Sequence, residues 1–193
     1  MAKIDLAGLR TMAQAAAGDI THVYIHWSAG HYGQQFTDYH ILVDKDGTIY
    51  TTVSDLTTHL NHTYMRNSRA IAVAALCAYN ASSTNDLGPE PPTEAQIEVI
   101  AQVLAVLGKK LALPIDIKHF MTHAEAANNL DGEDPGYEDN GCTNGIYGPS
   151  PNPDGSPGGD TERWDFWVLH EGDAKWSGGD MLREKALWYQ QNS

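Results

Sequence analysis

The chain has 193 residues, of which 41% are hydrophobic and 19% are charged, and its formal net charge is -13 at pH 7. This composition is typical of a folded globular protein with a substantial core, and it excludes a disordered chain. The negative charge argues against binding to nucleic acid or to anionic membranes, because like charges repel each other. We therefore expect one domain over residues 1–193.

Targeting signals and disulfides are not expected. The first residues, MAKIDLAGLRTMAQAAAG, lack the apolar stretch of a signal peptide, and no stretch is long enough to span a membrane. We therefore expect the protein to be made in the cytoplasm and to stay there initially. Cys77 lies in an apolar run and Cys142 in a glycine-rich segment, and we expect both to be free thiols.

The first half of the chain is predicted to form a helix followed by strands. Residues 4–17 place apolar side chains at helical spacing and end at Gly18. Strands are expected at residues 21–27, 38–43, 48–53 and 70–79, where apolar residues alternate with polar ones or form a continuous run. The strands at 38–43 and 48–53 are expected to form a hairpin, with Gly47 in the turn.

The second half contains the clearest helix signal. Thr93 and Gln96 form a capping box at the start of a run with helical periodicity that extends to residue 113. A strand at 116–121 is expected to lead into a short helix, and a last helix is expected at 178–191 with Asp180 as its cap. Strands and helices in this order predict an α/β fold, a mixed central β-sheet flanked by helices.

The segment from 128 to 162 shows no periodicity and is rich in Gly, Pro, Asp and Asn. A loop of this length is usually functional or mobile. Its stretch DGEDPGYEDNG, at 131–141, concentrates oxygen ligands beside glycines and is compatible with Ca²⁺. It lacks the arrangement of an EF-hand, however, and a solvated acidic lid is the favoured alternative.

Two histidines lie where strands are predicted to end. His26 closes the first predicted strand, and His123 follows the strand that ends near Met121. Two imidazoles and one carboxylate, with a fourth position left for water, form the ligand set of a catalytic zinc site. Asp165 is the candidate carboxylate, because a charge among aromatic residues is costly to bury without a partner. The alternative is a rim aspartate that pairs with Arg163.

The chain resembles the zinc amidases that cleave N-acetylmuramoyl-L-alanine, a family that includes phage lysozyme-type amidases and peptidoglycan recognition proteins. The resemblance covers about residues 20–168. It is carried by VYIHWSAG, DYHILVDKDGTIY, HLNHTYMRNSRAIAVAAL, PPTEAQIEVIAQVLAVL, MTHAEAA and RWD, in this order.

The resemblance implies a role for each matching position. His26, His123 and Asp165 match the zinc ligands, Tyr39 matches a tyrosine that assists the zinc-activated water, and Arg163 would stabilise the oxyanion. Some relatives have a glutamate base where this chain has Ala74, so either Tyr39 or Glu125 would have to serve. The positions that correspond to muropeptide contacts are His59 and Asn67.

The activity that the resemblance implies is zinc-dependent hydrolysis of the amide between N-acetylmuramic acid and L-alanine in peptidoglycan. We expect a phage or prophage endolysin that acts on the cell wall after release by a separate, holin-type partner that permeabilises the membrane. A cytoplasmic amidase that recycles muropeptides is the second expectation. The alternative that is not an enzyme is a module on the same fold that binds peptidoglycan without catalysis.

Overall fold

The computed structural model of the protein describes residues 1–132 and 164–192. The elements in chain order are β1 (Ala2–Ile4), α1 (Leu6–Ala15), β2 (His22–Trp27), β3 (Ile41–Val43), β4 (Ile49–Thr51), β5 (Ala70–Ala75), α2 (Glu94–Leu111), β6 (Phe120–Thr122), α3 (His123–Ala127) and α4 (Ser177–Asn192). The candidate calcium loop from residue 133 onward, together with Arg163 and Cys142, lies outside the described residues.

The six strands form one mixed sheet in the order β1-β4-β3-β5-β2-β6. β2 lies parallel to both β5 and β6, and β3 lies parallel to β5. β4 pairs antiparallel with β3 and with β1. The predicted mixed α/β architecture is confirmed. Because β2 and β6 run in the same direction, their carboxyl ends meet at one edge of the sheet.

The two faces of the sheet have different coverings. One face packs against α1, α2 and α4 and forms the main core. The side chains of Tyr24 and His26 alternate with the core residues Val23, Ile25 and Trp27 along β2, so they point to the other face. Smaller apolar clusters cover that second face.

The orientation of α2 follows from its first turn. Thr93 and Gln96 form the predicted capping box. The side-chain amide of buried Gln96 also donates to the carbonyl oxygens of Val43 and Leu76, each at 3.1 Å. These bonds reach carbonyl groups at the ends of β3 and β5, where the Val43 oxygen also accepts the backbone N–H of Leu76 at 2.9 Å. The helix is therefore fixed to the sheet by hydrogen bonds as well as by apolar packing.

Most predicted elements are confirmed, with shorter boundaries, and three details differ. The pattern does not predict β1, which has only three residues. Asp180 is not the cap of the last helix, because α4 begins at Ser177 and Asp180 lies in its first turn. Residues 116–119 form a turn rather than the start of a strand, and His119 in this turn bonds to Asp116.

Two further expectations concern thiols and membranes. Cys77 is buried and is a free thiol, as expected. Among the helices of the described residues, none has both the length and the apolar character that a membrane span requires.

Candidate metal centre

Three side chains far apart in the sequence meet at the carboxyl edge of the sheet. His26 lies near the end of β2, and His123 is the first residue of α3, directly after β6. Ile25 and Thr122 are partners in the β2–β6 ladder, so the residues that follow each of them lie side by side. Asp165 enters from the segment before α4 and completes the group.

The three donor atoms form a nearly equilateral triangle. His26 Nδ1 lies 3.2 Å from His123 Nδ1 and 3.3 Å from Asp165 Oδ2. His123 Nδ1 lies 3.2 Å from the same Asp165 oxygen. Among the described residues, this is the group of histidine and carboxylate ligands that meets the geometry of a metal site.

This triangle fits a tetrahedral zinc ion. With zinc bonds of about 2.0–2.1 Å, two ligands of a tetrahedron are about 3.3–3.4 Å apart, close to the three separations observed. Hydrogen bonds among the three side chains explain the short distances less well. A proton on one Nδ1 atom cannot form hydrogen bonds across all three pairs of donor atoms at once. The three residues therefore have the chemistry and the spacing to hold the metal and to leave one position open.

The aromatic residues that flank Asp165 anchor it from both sides. Trp164 packs edge-on against Trp27 with ring centroids 4.8 Å apart, and Phe166 lies 5.6 Å from the same ring. The segment forms a turn, with Phe166 at a φ of 55°. Asp165 is only 2% exposed and faces the two histidines. The alternative of an aspartate at the rim is therefore wrong.

The first turn of α4 holds the backbone beside Asp165. A Cβ atom at Gly178 would lie 2.0 Å from the carbonyl oxygen of Phe166, so no larger residue fits without a shift of the backbone. The Asp165 carbonyl oxygen also accepts the backbone N–H of Ala124 in α3, at 3.4 Å. Two helices thus fix the position of the third ligand.

The ionisation of the ligands suits metal binding. Burial lowers the pKa of His26 to about 4, although the hydrogen bond with Asp165 acts in the opposite direction. Burial raises the pKa of Asp165, but the adjacent His123 and His26 rings outweigh this effect and bring it below its ordinary value. At neutral pH His26 therefore offers a lone pair and Asp165 is a carboxylate, which are the forms that bind metal ions.

The other nitrogen of His26 has a partner that the sequence analysis missed. His26 Nε2 lies 3.2 Å from the hydroxyl of buried Thr63, and this hydroxyl lies 2.9 Å from His62 Nδ1. Metal-binding histidines commonly use their second nitrogen in such a bond. No local pattern marks Thr63, because it lies 37 residues from His26 in an irregular segment.

Tyr39 lies beside the first ligand, as its predicted role requires. Its ring centroid is 5.1 Å from that of His26, and the ring packs against an apolar cluster that includes Ala74. Ala74 is the partner of His26 in the β2–β5 ladder and is fully buried. β5 therefore carries no base, and Tyr39 is the residue of the predicted set whose ring lies beside a candidate ligand.

Glu125 is engaged elsewhere, which corrects its assignment as a candidate base. Its two oxygens accept the guanidinium of Arg183, each at 2.8 Å, and one also accepts the backbone N–H of Thr122. The carboxylate is buried in this pair. Glu125 thus closes the capping box of α3 and ties α3 to α4.

The predicted substrate contacts are not equivalent. His59 is exposed. The Asn67 side-chain oxygen accepts the backbone N–H groups of His62 and Thr63, at 3.0 and 2.8 Å. Asn67 therefore shapes the segment that carries Thr63.

Asp131 is the first residue of the candidate calcium loop. Its carboxylate accepts two hydrogen bonds from Arg66.

Comparisons with known proteins identify the family of the chain. The sequence model of the N-acetylmuramoyl-L-alanine amidase family matches residues 16–137, a range that contains His26 and His123 and ends before Asp165. No curated protein matches the chain.

Two solved structures are similar in part. They are an endolysin N-acetylmuramoyl-L-alanine amidase, LysCS, and the N-acetylmuramoyl-L-alanine amidase LysC, both from Clostridium intestinale URNW. Each is 17% identical with a TM-score of 0.43, and the match covers 56% of this chain and 71% or 72% of theirs. The family assignment rests on the sequence match and not on these structures.

Proposed function

The chain belongs to the N-acetylmuramoyl-L-alanine amidase family, and we propose that it is a zinc-dependent enzyme. Its substrate is peptidoglycan, and it hydrolyses the amide bond between N-acetylmuramic acid and L-alanine. The observation that carries the proposal is the triangle of His26, His123 and Asp165, whose donor atoms are 3.2–3.3 Å apart.

The three ligands would hold the metal with one position open. When bound, zinc supplies a Lewis acid that activates water and polarises an amide carbonyl at neutral pH. Trp164 and Phe166 are buried and Asp165 between them is only 2% exposed, so bulk water has little access to the Asp165 side of the site. In a water-poor site of this kind, charges act more strongly on the reacting groups than they do in bulk water.

Tyr39 is the residue that we assign to proton transfer. Its position beside His26 supports this role, and Ala74 on the neighbouring strand offers no alternative base. The phenol would hydrogen-bond the attacking water or the departing nitrogen. Arg163 stays a prediction for oxyanion stabilisation, since it lies outside the described residues.

The proposal is tested by zinc content and by product identity. Purified wild-type protein is expected to contain one zinc ion per chain, and to release fragments from muropeptides that end at the lactyl group and at L-Ala, as identified by mass spectrometry. His26→Ala and Asp165→Ala should lose both zinc and cleavage. His119→Ala is the matched control, because His119 pairs with Asp116 at the opposite end of β6 and should retain both.

Three outcomes contradict parts of the proposal. Cleavage at another bond would refute the assigned substrate bond, and full activity in either ligand variant would remove that residue from the site. Stoichiometric zinc and binding of muropeptides without any cleavage would favour the non-catalytic binding module instead.

The lytic role stays part of the proposal. An endolysin must cut intact, cross-linked sacculi, whereas a recycling amidase works on soluble muropeptides. We expect the protein to clear a suspension of purified sacculi at a rate that falls on addition of a chelator. Activity restricted to soluble muropeptides would instead indicate recycling in the cytoplasm.

A further inference from the structure

The segment 62–67 contacts the candidate metal centre without supplying a ligand. We propose that Thr63 is a positioning residue, which fixes the His26 ring in the tautomer and orientation that bind zinc through Nδ1. This inference rests on the proposed zinc-dependent function, and it adds a residue that orients the zinc ligand His26.

The direction of each hydrogen bond follows from ligation through Nδ1. A neutral imidazole that offers Nδ1 to a metal carries its proton on Nε2. His26 Nε2 therefore donates to the Thr63 hydroxyl at 3.2 Å. The hydroxyl, having accepted this bond, donates its own proton to His62 Nδ1 at 2.9 Å. The three residues form one chain of bonds with a single consistent direction.

Packing around His26 reinforces this chain. His26 is fully buried, and its ring lies edge-on to His62 with centroids 5.5 Å apart. The His40 ring also lies edge-on to His62, with centroids 5.7 Å apart. The His40 ring bonds to the Thr58 carbonyl oxygen and to the Ala72 backbone N–H. His62 thus packs against two imidazoles, one in β2 and one bonded to β5.

The segment that carries Thr63 is braced at two points. Asn67 accepts the backbone N–H groups of His62 and Thr63. Arg66 donates two bonds to Asp131, at 2.7 and 3.1 Å, and one to Asn129, at 2.8 Å. Asn129 and Asp131 directly follow α3, the helix that begins with His123. The ion pair therefore links the segment that orients the first ligand to the helix that carries the second.

The test compares substitutions that differ by one hydroxyl. Thr63→Val keeps the branched shape and removes the hydroxyl, whereas Thr63→Ser keeps the hydroxyl. Loss of such a partner typically weakens metal affinity about 10- to 100-fold, so we expect this loss in Thr63→Val and near wild-type affinity in Thr63→Ser. Zinc affinity is measured by competition with a chromophoric chelator, and the visible spectrum of the Co²⁺-loaded protein reports ligand geometry.

A matched control separates positioning from general stability. Thr51 is also buried, and its hydroxyl bonds to the carbonyl oxygens of His40 and Val53. Thr51→Val should lower the free energy of unfolding of the metal-free protein without changing zinc affinity. If Thr63→Val does not fold, a second pair of variants at position 62 tests the same inference. His62→Leu removes the acceptor of the Thr63 hydroxyl, whereas His62→Asn keeps an acceptor. We therefore expect zinc binding to be weaker in His62→Leu than in His62→Asn.

The outcomes distinguish this inference from the proposed function. Zinc affinity in Thr63→Val within twofold of wild type, with an unchanged Co²⁺ spectrum, overturns the positioning role and leaves the zinc amidase standing. A wild-type protein that binds no zinc overturns both.

Discussion

The buried ion pair between Glu125 and Arg183 allows a decisive test of what Glu125 does. Glu125→Gln removes the charge with little change in shape, and the amide oxygen can still accept the Thr122 backbone N–H. The pair consists of two bonds of 2.8 Å between side chains that are 4% and 7% exposed. The substitution therefore leaves a buried guanidinium without its main counter-charge.

The expected loss of stability follows from this burial. Removal of one partner from a buried ion pair costs about 3–5 kcal/mol. Arg183 keeps bonds to Asp180 at 2.6 Å and to the Phe120 carbonyl oxygen at 2.9 Å, so we expect the lower end, about 3 kcal/mol. For a protein of this size, 1 kcal/mol shifts Tm by about 2–4 °C, which gives a decrease of roughly 6–12 °C.

The assay measures stability and catalysis on the same samples. Thermal and urea unfolding give the loss of stability, and the turnover rate is measured at a temperature at which the variant is fully folded. We expect turnover within a few-fold of wild type, because the Glu125 carboxylate is held by Arg183. Glu98→Gln is the matched control: its pair with Lys185 is about one-third exposed, so the expected loss is below about 1 kcal/mol.

The opposite result would refute this reasoning. If turnover fell by two orders of magnitude or more while unfolding stayed unchanged, Glu125 would act as a general base. Its bonds to Arg183 would then contribute little to the fold.

The sequence was sufficient for the parts of the fold that local patterns determine. The alternation in β2 and the capping box of α2 are local signals, and both elements form where they were predicted. His26 and His123 were found for a related reason, because each follows a recognisable strand and the carboxyl ends of parallel strands share one edge. Local pattern and sheet topology together placed two of the three candidate ligands.

The parts that the sequence did not determine depend on contacts between distant residues. Glu125 is a candidate base in the sequence because Ala74 occupies the position of the family's glutamate. Its partner Arg183 lies 58 residues away, in a helix whose packing no local pattern reveals. The turn that contains Asp165 depends on contacts of Trp164 and Phe166 with the distant Trp27, which no local pattern reveals. Thr63 was missed because an isolated threonine in an irregular segment carries no signal.

Two further predictions concern the proton-transfer residue and the response to acid. Tyr39→Phe should slow turnover by a factor of about 10² to 10⁴ with zinc content unchanged. Tyr50→Phe, in the same apolar cluster, should leave turnover unchanged. Equal turnover rates in the two variants would exclude Tyr39 from proton transfer. In the metal-free protein, burial lowers the pKa of His26 to about 4 and that of His62 well below its ordinary value of 6.5. The unfolded chain therefore binds more protons than the folded one below about pH 6.5, and stability must fall as the pH falls. Each excluded proton contributes about 1.4 kcal/mol per pH unit, so His26 and His62 together should lose about 2 kcal/mol between pH 6 and 5, above the range in which most carboxylates titrate. Burial also lowers the pKa of His40, which adds to this loss. Urea unfolding of chelator-treated protein measures this loss, and His62→Asn should reduce it by about 1 kcal/mol. A free energy of unfolding that stays constant from pH 7 to 5 would mean that these imidazoles accept protons in the folded state, which their burial does not allow.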